Sequence, residues 1–164
     1  MFRTHQLTLL AEAYQTVGEP AAGLAALDEA LALVEKNEER FWEAEIYRLK
    51  GELLLALEGT RRSLGPSAEF TLERSEGLRV NSVEEMQDAE SPEGCFLTAI
   101  EIARRQEGKS LELRATVSLC RLWQQHGKQD EARRMLAAIY GWFTEGFDTI
   151  DLQQANALLQ ALSA

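Results

Sequence analysis

Apolar residues recur along most of the chain at helical spacing, and they fall into pairs of helices. Between Ser110 and Phe143, one helix face carries Leu113, Thr116, Leu119, Cys120 and Trp123, and a second carries Ala132, Leu136, Ile139 and Tyr140. The positions follow the i, i+3, i+4, i+7 rule of an amphipathic helix. Gly127 lies between the two stripes and predicts a left-handed helix end. This segment therefore predicts a helical hairpin, with the small Ala132 at the closest approach of its helices.

The same pattern stands at the N-terminus. The matching positions are, in order, Leu7, Leu10, Ala11, Tyr14, Gly18, Gly23, Leu27 and Ala30 against Thr116, Leu119, Cys120, Trp123, Gly127, Ala132, Leu136 and Ile139. A third, interrupted copy has a first helix with Tyr47, Lys50, Gly51 and Leu54 and a second helix with Pro92, Phe96 and Ala99. Such recurrence is typical of a helical repeat protein, so we expect an all-α fold.

Helix bounds follow from the turn residues. We predict helices over about 3–17, from Pro20 to Lys36, over 39–58, up to Glu107 with Gly108 as its end, and a capping helix over 150–162. Residues 59–91 interrupt the middle copy with glycines and serines, and we expect this insertion to be disordered rather than functional. A new helix begins either at Ser82, which opens a capping box, or at Ser91.

Length and charge narrow the function. A chain of 164 residues suits a single domain over 1–164, and its net charge of −10 disfavours binding to nucleic acid. We find no signal peptide and no membrane-spanning run, and we expect a cytoplasmic protein that makes no membrane contact. Cys95 and Cys120 are interpreted as reduced core residues. The chain opens almost directly inside a repeat helix, which suggests a piece of something longer.

No residue pattern predicts catalysis, a metal site or a cofactor. His5 is expected to be solvated, and His126 to stand at a helix C-terminus, where a cation is favourable. The acidic run that starts at Glu84 suits a solvated surface better than a cation site. The aromatic turn at Trp142, Phe143 and Phe147 favours core packing under the last helix over a patch for a partner.

The hairpin pattern resembles the tetratricopeptide repeat, although Gly23 and Pro92 replace its usual alanine. The runs 109–115, 122–128 and 140–148 look like the C-terminal repeats of large bacterial signalling ATPases and adenylyl cyclases. The resemblance implies a superhelix of about three hairpins plus a capping helix. It also implies a non-catalytic interaction or regulatory module, whose partner is a protein, a peptide or another domain of the parent chain. No phosphate-binding loop is present.

The resemblance also implies where binding occurs, because first helices line the concave face of such superhelices. The corresponding groove positions are His5, Glu12, Glu45, Arg48, Glu52, Arg114, Arg121, Gln124 and Gln125. Thr8 and Glu12 replace the Lys and Asn of the family's carboxylate clamp, so clamp-type binding is not supported. The three arginines either bind an anionic group or pair with nearby carboxylates. Two functions stay open, a protein-interaction module and a sensor for an anionic small molecule.

Overall fold

The computed structural model describes residues 3–37, 40–64 and 91–163. Within these ranges the chain is all-α, with no strand. The helices are α1 Arg3–Val17, α2 Pro20–Asn37, a 3₁₀ turn Arg40–Trp42, α3 Glu43–Leu64, α4 Pro92–Arg105, α5 Lys109–Gln125, α6 Gln129–Tyr140 and α7 Ile150–Ala161.

The helices pack as a layered series in which each contacts its neighbours. Helices α1 and α2, α3 and α4, and α5 and α6 form three pairs, and α2 packs on α3 as α4 packs on α5. The first helices of the pairs also contact one another in sequence, α1 with α3 and α3 with α5, and α5 then contacts α7. Helices α1, α3, α5 and α7 therefore form one continuous row, which we call the first-helix row.

Positions that the sequence matched across the three predicted copies are buried alike. Leu27, Phe96 and Leu136, at one equivalent position of the second helices, are fully buried. Ala11, Gly51 and Cys120, at one equivalent position of the first helices, are buried as well. Gly51 has to lack a side chain, because a Cβ there would lie 2.6 Å from Cε1 of the Phe96 ring.

The predicted close contact of Ala132 is present between α5 and α6. Ala132 is fully buried, and its carbonyl oxygen accepts a hydrogen bond from the Cys120 thiol at a Sγ–O distance of 3.2 Å. Cys120 and Cys95 are both buried free thiols, as predicted. Burial raises the pKa of Cys120 to about 12, which keeps the thiol protonated and available as a donor.

The turns agree with the sequence at most positions. Gly18 and Gly127 adopt the left-handed conformation, with φ of 82° and 77°. Ser91 is the N-cap of α4, where its side chain accepts a hydrogen bond from the Gly94 amide at 3.0 Å. Gly108 does not end α4 as predicted. Glu107 takes the left-handed conformation instead, with φ of 56°, and Gly108 is the N-cap of α5.

Two further predictions are corrected. Helix α3 continues to Leu64 and does not end near residue 58, so residues 59–64 are helical. The rest of the predicted insertion, 65–90, including the capping box at Ser82 and the acidic run from Glu84, lies outside the described residues. In the aromatic turn, Phe143 packs on the core as expected, but Trp142 is 58% exposed and Phe147 is also largely exposed.

Candidate functional site

A charged cluster lies in the middle of the first-helix row, on α3. Glu45 and Arg48 are only 3% and 8% exposed, which is rare for such residues. Arg48 donates from Nε and Nη2 to the two carboxylate oxygens of Glu45, at 3.0 and 2.7 Å. Its remaining nitrogen, Nη1, donates to Oε1 of Glu52 at 2.5 Å. The sequence places these groups on one helix face, because they are three and four residues apart.

The cluster extends to the neighbouring first helices through hydrogen bonds to Glu52. Gln15 on α1 donates to Oε2 of Glu52 at 3.0 Å, and Ser118 on α5 donates to Oε1 at 2.8 Å. One carboxylate therefore joins α1, α3 and α5.

Two arginines on α5 continue the network towards α7. Nη2 of Arg114 lies 3.0 Å from Oε1 of Glu45, and its Nε lies 3.8 Å from Asp151 on α7. Nη2 of Arg121 donates to Gln154 on α7 at 3.1 Å. We call this chain of contacts across α1, α3, α5 and α7 the first-helix network.

The network shifts the protonation of its buried members. Burial on its own would lower the pKa of Arg48, but the hydrogen bonds and charge of Glu45, followed by those of Glu52, raise it above its usual value. Burial would raise the pKa of Glu52, but the Arg48 charge and the hydrogen bonds from Gln15 and Ser118 lower it. Both groups are therefore charged at neutral pH, and their charges compensate each other.

A cleft of about 220 Å³ opens beside the network, between α3, α5 and α7. Its walls are formed by Arg48, Glu52, Arg114, Val117, Ser118, Arg121, Ile150, Asp151 and Gln154. Three guanidinium groups and two carboxylates line it, in a chain whose net charge is −10. Arg121 is exposed, and within the described ranges its side chain has a hydrogen bond to Gln154 but no ion pair with a carboxylate. It is thus the guanidinium best placed to meet a ligand.

The structure brings five of the nine predicted groove residues together: Glu45, Arg48, Glu52, Arg114 and Arg121 form the first-helix network. The alternative that the arginines pair with nearby carboxylates holds for Arg48 and Arg114. Glu112, which was also considered as a partner, pairs instead with Arg104 and Lys109, at 2.7 and 2.8 Å.

The other four predicted groove residues do not line the cleft. Gln124 is half-buried and Gln125 exposed near the end of α5, and Glu12 is half-buried on α1. His5 was expected to be solvated, which is wrong. Its ring stacks on Trp42 at a centroid distance of 4.5 Å, and its Nδ1 is buried.

Sequence reasoning missed Ser118, Ile150, Asp151 and Gln154 in the cleft walls. Ser118 stands one residue after the groove position Val117, and its short side chain gave no signal of a role. The last three lie at the start of α7, which the sequence identified only as a capping helix. Their position beside Arg114 and Arg121 depends on how α7 packs on α5, and periodicity does not fix that angle.

A second cleft, of about 240 Å³, lies between the start of α5 and the aromatic turn. Ser110, Leu113, Phe143 and Leu152 are among its lining residues, and Asp151 borders both clefts. No basic side chain lines it. Lys109 instead lies over the exposed Trp142 ring, with Nζ 5.8 Å from the centroid. This cleft offers apolar contact but no cation for an anionic ligand.

Across residues 3–37, 40–64 and 91–163, no group of three or more His, Cys, Asp or Glu side chains is arranged to hold a metal ion. None of the helices described above combines the length and the apolar character that a membrane crossing requires. No family model, curated protein or solved structure matches the chain.

Proposed function

We propose that this chain is a tetratricopeptide-like superhelix that acts as a non-catalytic protein-interaction or regulatory module. In this proposal it belongs to a larger cytoplasmic bacterial signalling protein, of the ATPase or cyclase type that its C-terminal runs resemble. The first-helix row forms the concave surface, and the cleft between α3, α5 and α7 receives a carboxylate of a peptide or protein partner.

The first-helix network is the observation that carries this proposal. Arg48 is held on three sides by Glu45 and Glu52, so its charge is used within the fold. Arg114 and Arg121 line the same cleft. Each guanidinium has five N–H groups, which is more than the contacts described above use. A planar guanidinium donates two parallel hydrogen bonds to a carboxylate. An acidic side chain or a chain terminus therefore fits the cleft.

The size of the cleft favours a peptide over a metabolite. Sites for drug-sized ligands have volumes of about 300–1,000 Å³, and the cleft has about 220 Å³. It accommodates one side chain or one small anionic group, and the rest of a partner would extend along the first-helix row. A small-molecule sensor is the second candidate, supported by the three arginines around one cleft.

The variant that tests the cleft has to remove an arginine without unfolding the chain. Arg48→Ala would remove the cation from Glu52 and leave the buried Glu45 with Arg114 alone, and we expect it to cost about 3–5 kcal/mol of folding free energy. A loss of binding in that variant would therefore report unfolding. Arg121→Ala is the suitable change, because Arg121 is exposed and gives up one hydrogen bond. Arg133→Ala is its matched control, an exposed arginine on α6 that does not line the cleft.

The experiment is a fluorescence-anisotropy screen of the chain against a library of acidic peptides, followed by titration of the best binders. We expect Arg121→Ala to weaken binding by about tenfold, the value of one charge-assisted contact, and Arg133→Ala to leave it unchanged. Equal affinities of wild type and folded Arg121→Ala for every peptide would disprove the proposed site.

A thermal-shift screen with small carboxylates and phosphates tests the second candidate. A ligand that binds only the folded state raises the melting temperature by mass action. A shift that disappears in Arg121→Ala, together with no binding in the peptide screen, would favour the sensor.

A further inference from the structure

The outward face of α1 is mostly apolar, and none of the helices described above covers it. Leu9, Leu10 and Val17 are 50%, 43% and 72% exposed. With Gln6 and Ala13, which are exposed as well, they form a stripe at i, i+3, i+4, i+7 and i+11. The stripe contains no charged residue, although 27% of the chain is charged. We call it the α1 stripe.

The internal repeats show what such a stripe contacts elsewhere in the molecule. By the register of the copies, Gln6, Leu9 and Ala13 correspond to Ile46, Leu49 and Leu53 in α3. All three α3 residues are buried, in one cluster with Leu27, Ala30 and Val34 of α2. These three positions, which α3 buries against the preceding helix, are thus open in α1. Leu10 corresponds to Lys50, whose Nζ lies 3.1 Å from Asp28 of α2.

Helix α5 repeats the observation independently. Its residues at the positions of Gln6, Leu10 and Ala13 are Ala115, Leu119 and Leu122, and they are buried in a cluster with Phe96, Ala99 and Ile100 of α4. Leu9 corresponds to the buried Ser118. In both cases the covering helix is the second helix of the preceding pair, and it presents an apolar stripe with an alanine at its centre.

We propose that the α1 stripe is a repeat interface that binds one further helical hairpin of this type, whose second helix packs on α1 as α2 packs on α3. The proposal rests on the repeat arrangement assumed in the proposed function, but not on the cleft or its arginines. It identifies the partner by its chemistry: an amphipathic hairpin with an uncharged Leu/Ala/Val or aromatic stripe.

A second copy of this chain fits the stripe less well. Helix α3 contacts both α1 and α2, and α5 contacts both α3 and α4, so a complete repeat interface involves two helices. A copy related by two-fold symmetry would supply α1 alone. Head-to-tail stacking would place the outer face of α7 on the stripe, and that face exposes Gln153, Asn156 and Gln160.

The test extends the chain with its own sequence. A copy of residues 3–42 placed directly before Arg3 puts a second α2 ahead of α1, through the connection that joins α2 to α3. We expect amide hydrogen exchange in the original α1 to slow by about tenfold or more, because the added helix removes its local fraying. Leu9→Lys with Ala13→Lys should abolish that gain, because the counterparts Leu49 and Leu53 are fully buried. Leu97→Lys, at an exposed leucine of α4, should preserve it.

A second extended chain shows whether the added α2 can pack on α1 at all. It carries Gln6→Ile and Ala13→Leu, which give the α1 stripe the residues of Ile46 and Leu53. A gain in protection in the first extension supports the proposal. A gain in the second extension alone, or in neither, overturns it, because the native stripe would then not suffice.

Sedimentation of the unextended chain tests whether a second copy binds the α1 stripe. A reversible dimer of the wild type that disappears in the Leu9→Lys/Ala13→Lys variant would overturn the hairpin assignment in favour of a second copy. A monomer whose exchange is fast in α1 supports it. These outcomes are independent of peptide binding at Arg121, so failure of the stripe and failure of the cleft are distinguishable.

Discussion

Helix α1 and helix α7 lie at the two ends of the first-helix row, and they expose different surfaces. Helix α7 buries Leu152, Ala155 and Leu158, and turns glutamine and asparagine side chains outward. Helix α1 buries Thr4, Thr8 and Ala11, and turns leucine and valine outward. The outer face of α7 is therefore mostly polar, whereas that of α1 is mostly apolar.

The largest expected effect comes from shortening the side chain at one matched position, first in α5 and then in α1. Leu119 and Leu10 are equivalent, but Leu119 is fully buried and Leu10 is largely exposed. We expect Leu119→Ala to cost about 2–5 kcal/mol, since it leaves a cavity in the core. Leu10→Ala should change stability by less than about 0.5 kcal/mol. Urea unfolding measures both, and equal costs would show that α1 is covered in solution.

A smaller effect is expected where α3 packs on α4, between the two ends of the molecule. In Gly51→Ala the new methyl group would meet the Phe96 ring, and overpacking of this kind costs about 1–3 kcal/mol. Gly59→Ala on the same helix is the control, because no atom lies within 4 Å of a Cβ there. It should stabilise the chain by about 0.5–1 kcal/mol through helix propensity. A Gly51→Ala chain as stable as the control would mean that this joint is loose.

The smallest effect is a dependence on pH that separates the two ends. The pKa of Glu52 is lower in the folded chain than its usual 4.5, so the carboxylate contributes its full stabilisation above that pH. The contribution is lost as the pH falls through the lowered value, since the proton then binds the unfolded chain more tightly. Glu112, at the start of α5, behaves in the same direction.

Because Glu52 joins α1, α3 and α5, acid should loosen the α1 end before the α6–α7 end. Urea unfolding between pH 7 and pH 3 measures the loss, and Glu52→Gln is the control. That variant should be less stable at neutral pH and lose less in acid. A slope unchanged by Glu52→Gln would assign the acid sensitivity to other carboxylates.

The sequence predicted the core faces of the helices well, because apolar residues at helical spacing mark them. The close contacts of Gly51 with Phe96 and of Gly23 with Leu53 were not predicted. The prediction from sequence failed where a helix extends beyond the core. Helix α3 continues through Gly59 to Leu64 with exposed residues such as Arg62, whose contact is an ion pair with Glu58 at 3.7 Å. No apolar period marks such a turn, so its end cannot be found from hydrophobic spacing.

The candidate site was predicted in part for a similar reason. Arg48 and Arg114 follow from the inner positions of matched helices. Asp151 and Gln154 do not, because they reach the cleft only through the packing of α7 on α5. The sequence also did not predict the exposure of Trp142. Three aromatic residues lie close in sequence, and composition does not indicate which of them pack in the core.

The nearest-neighbour packing of the helices also determines how the molecule comes apart under load. Contacts join each helix to those one or two places away along the chain, so tension applied at the N-terminus acts first on α1 and α2. Stability that rests on such nearest-neighbour contacts is approximately a sum of local terms. The chain should therefore yield in an optical trap as a staircase of extension steps, beginning with the first hairpin, while Cys120 and Ala132 hold the last pair together until late in the trace.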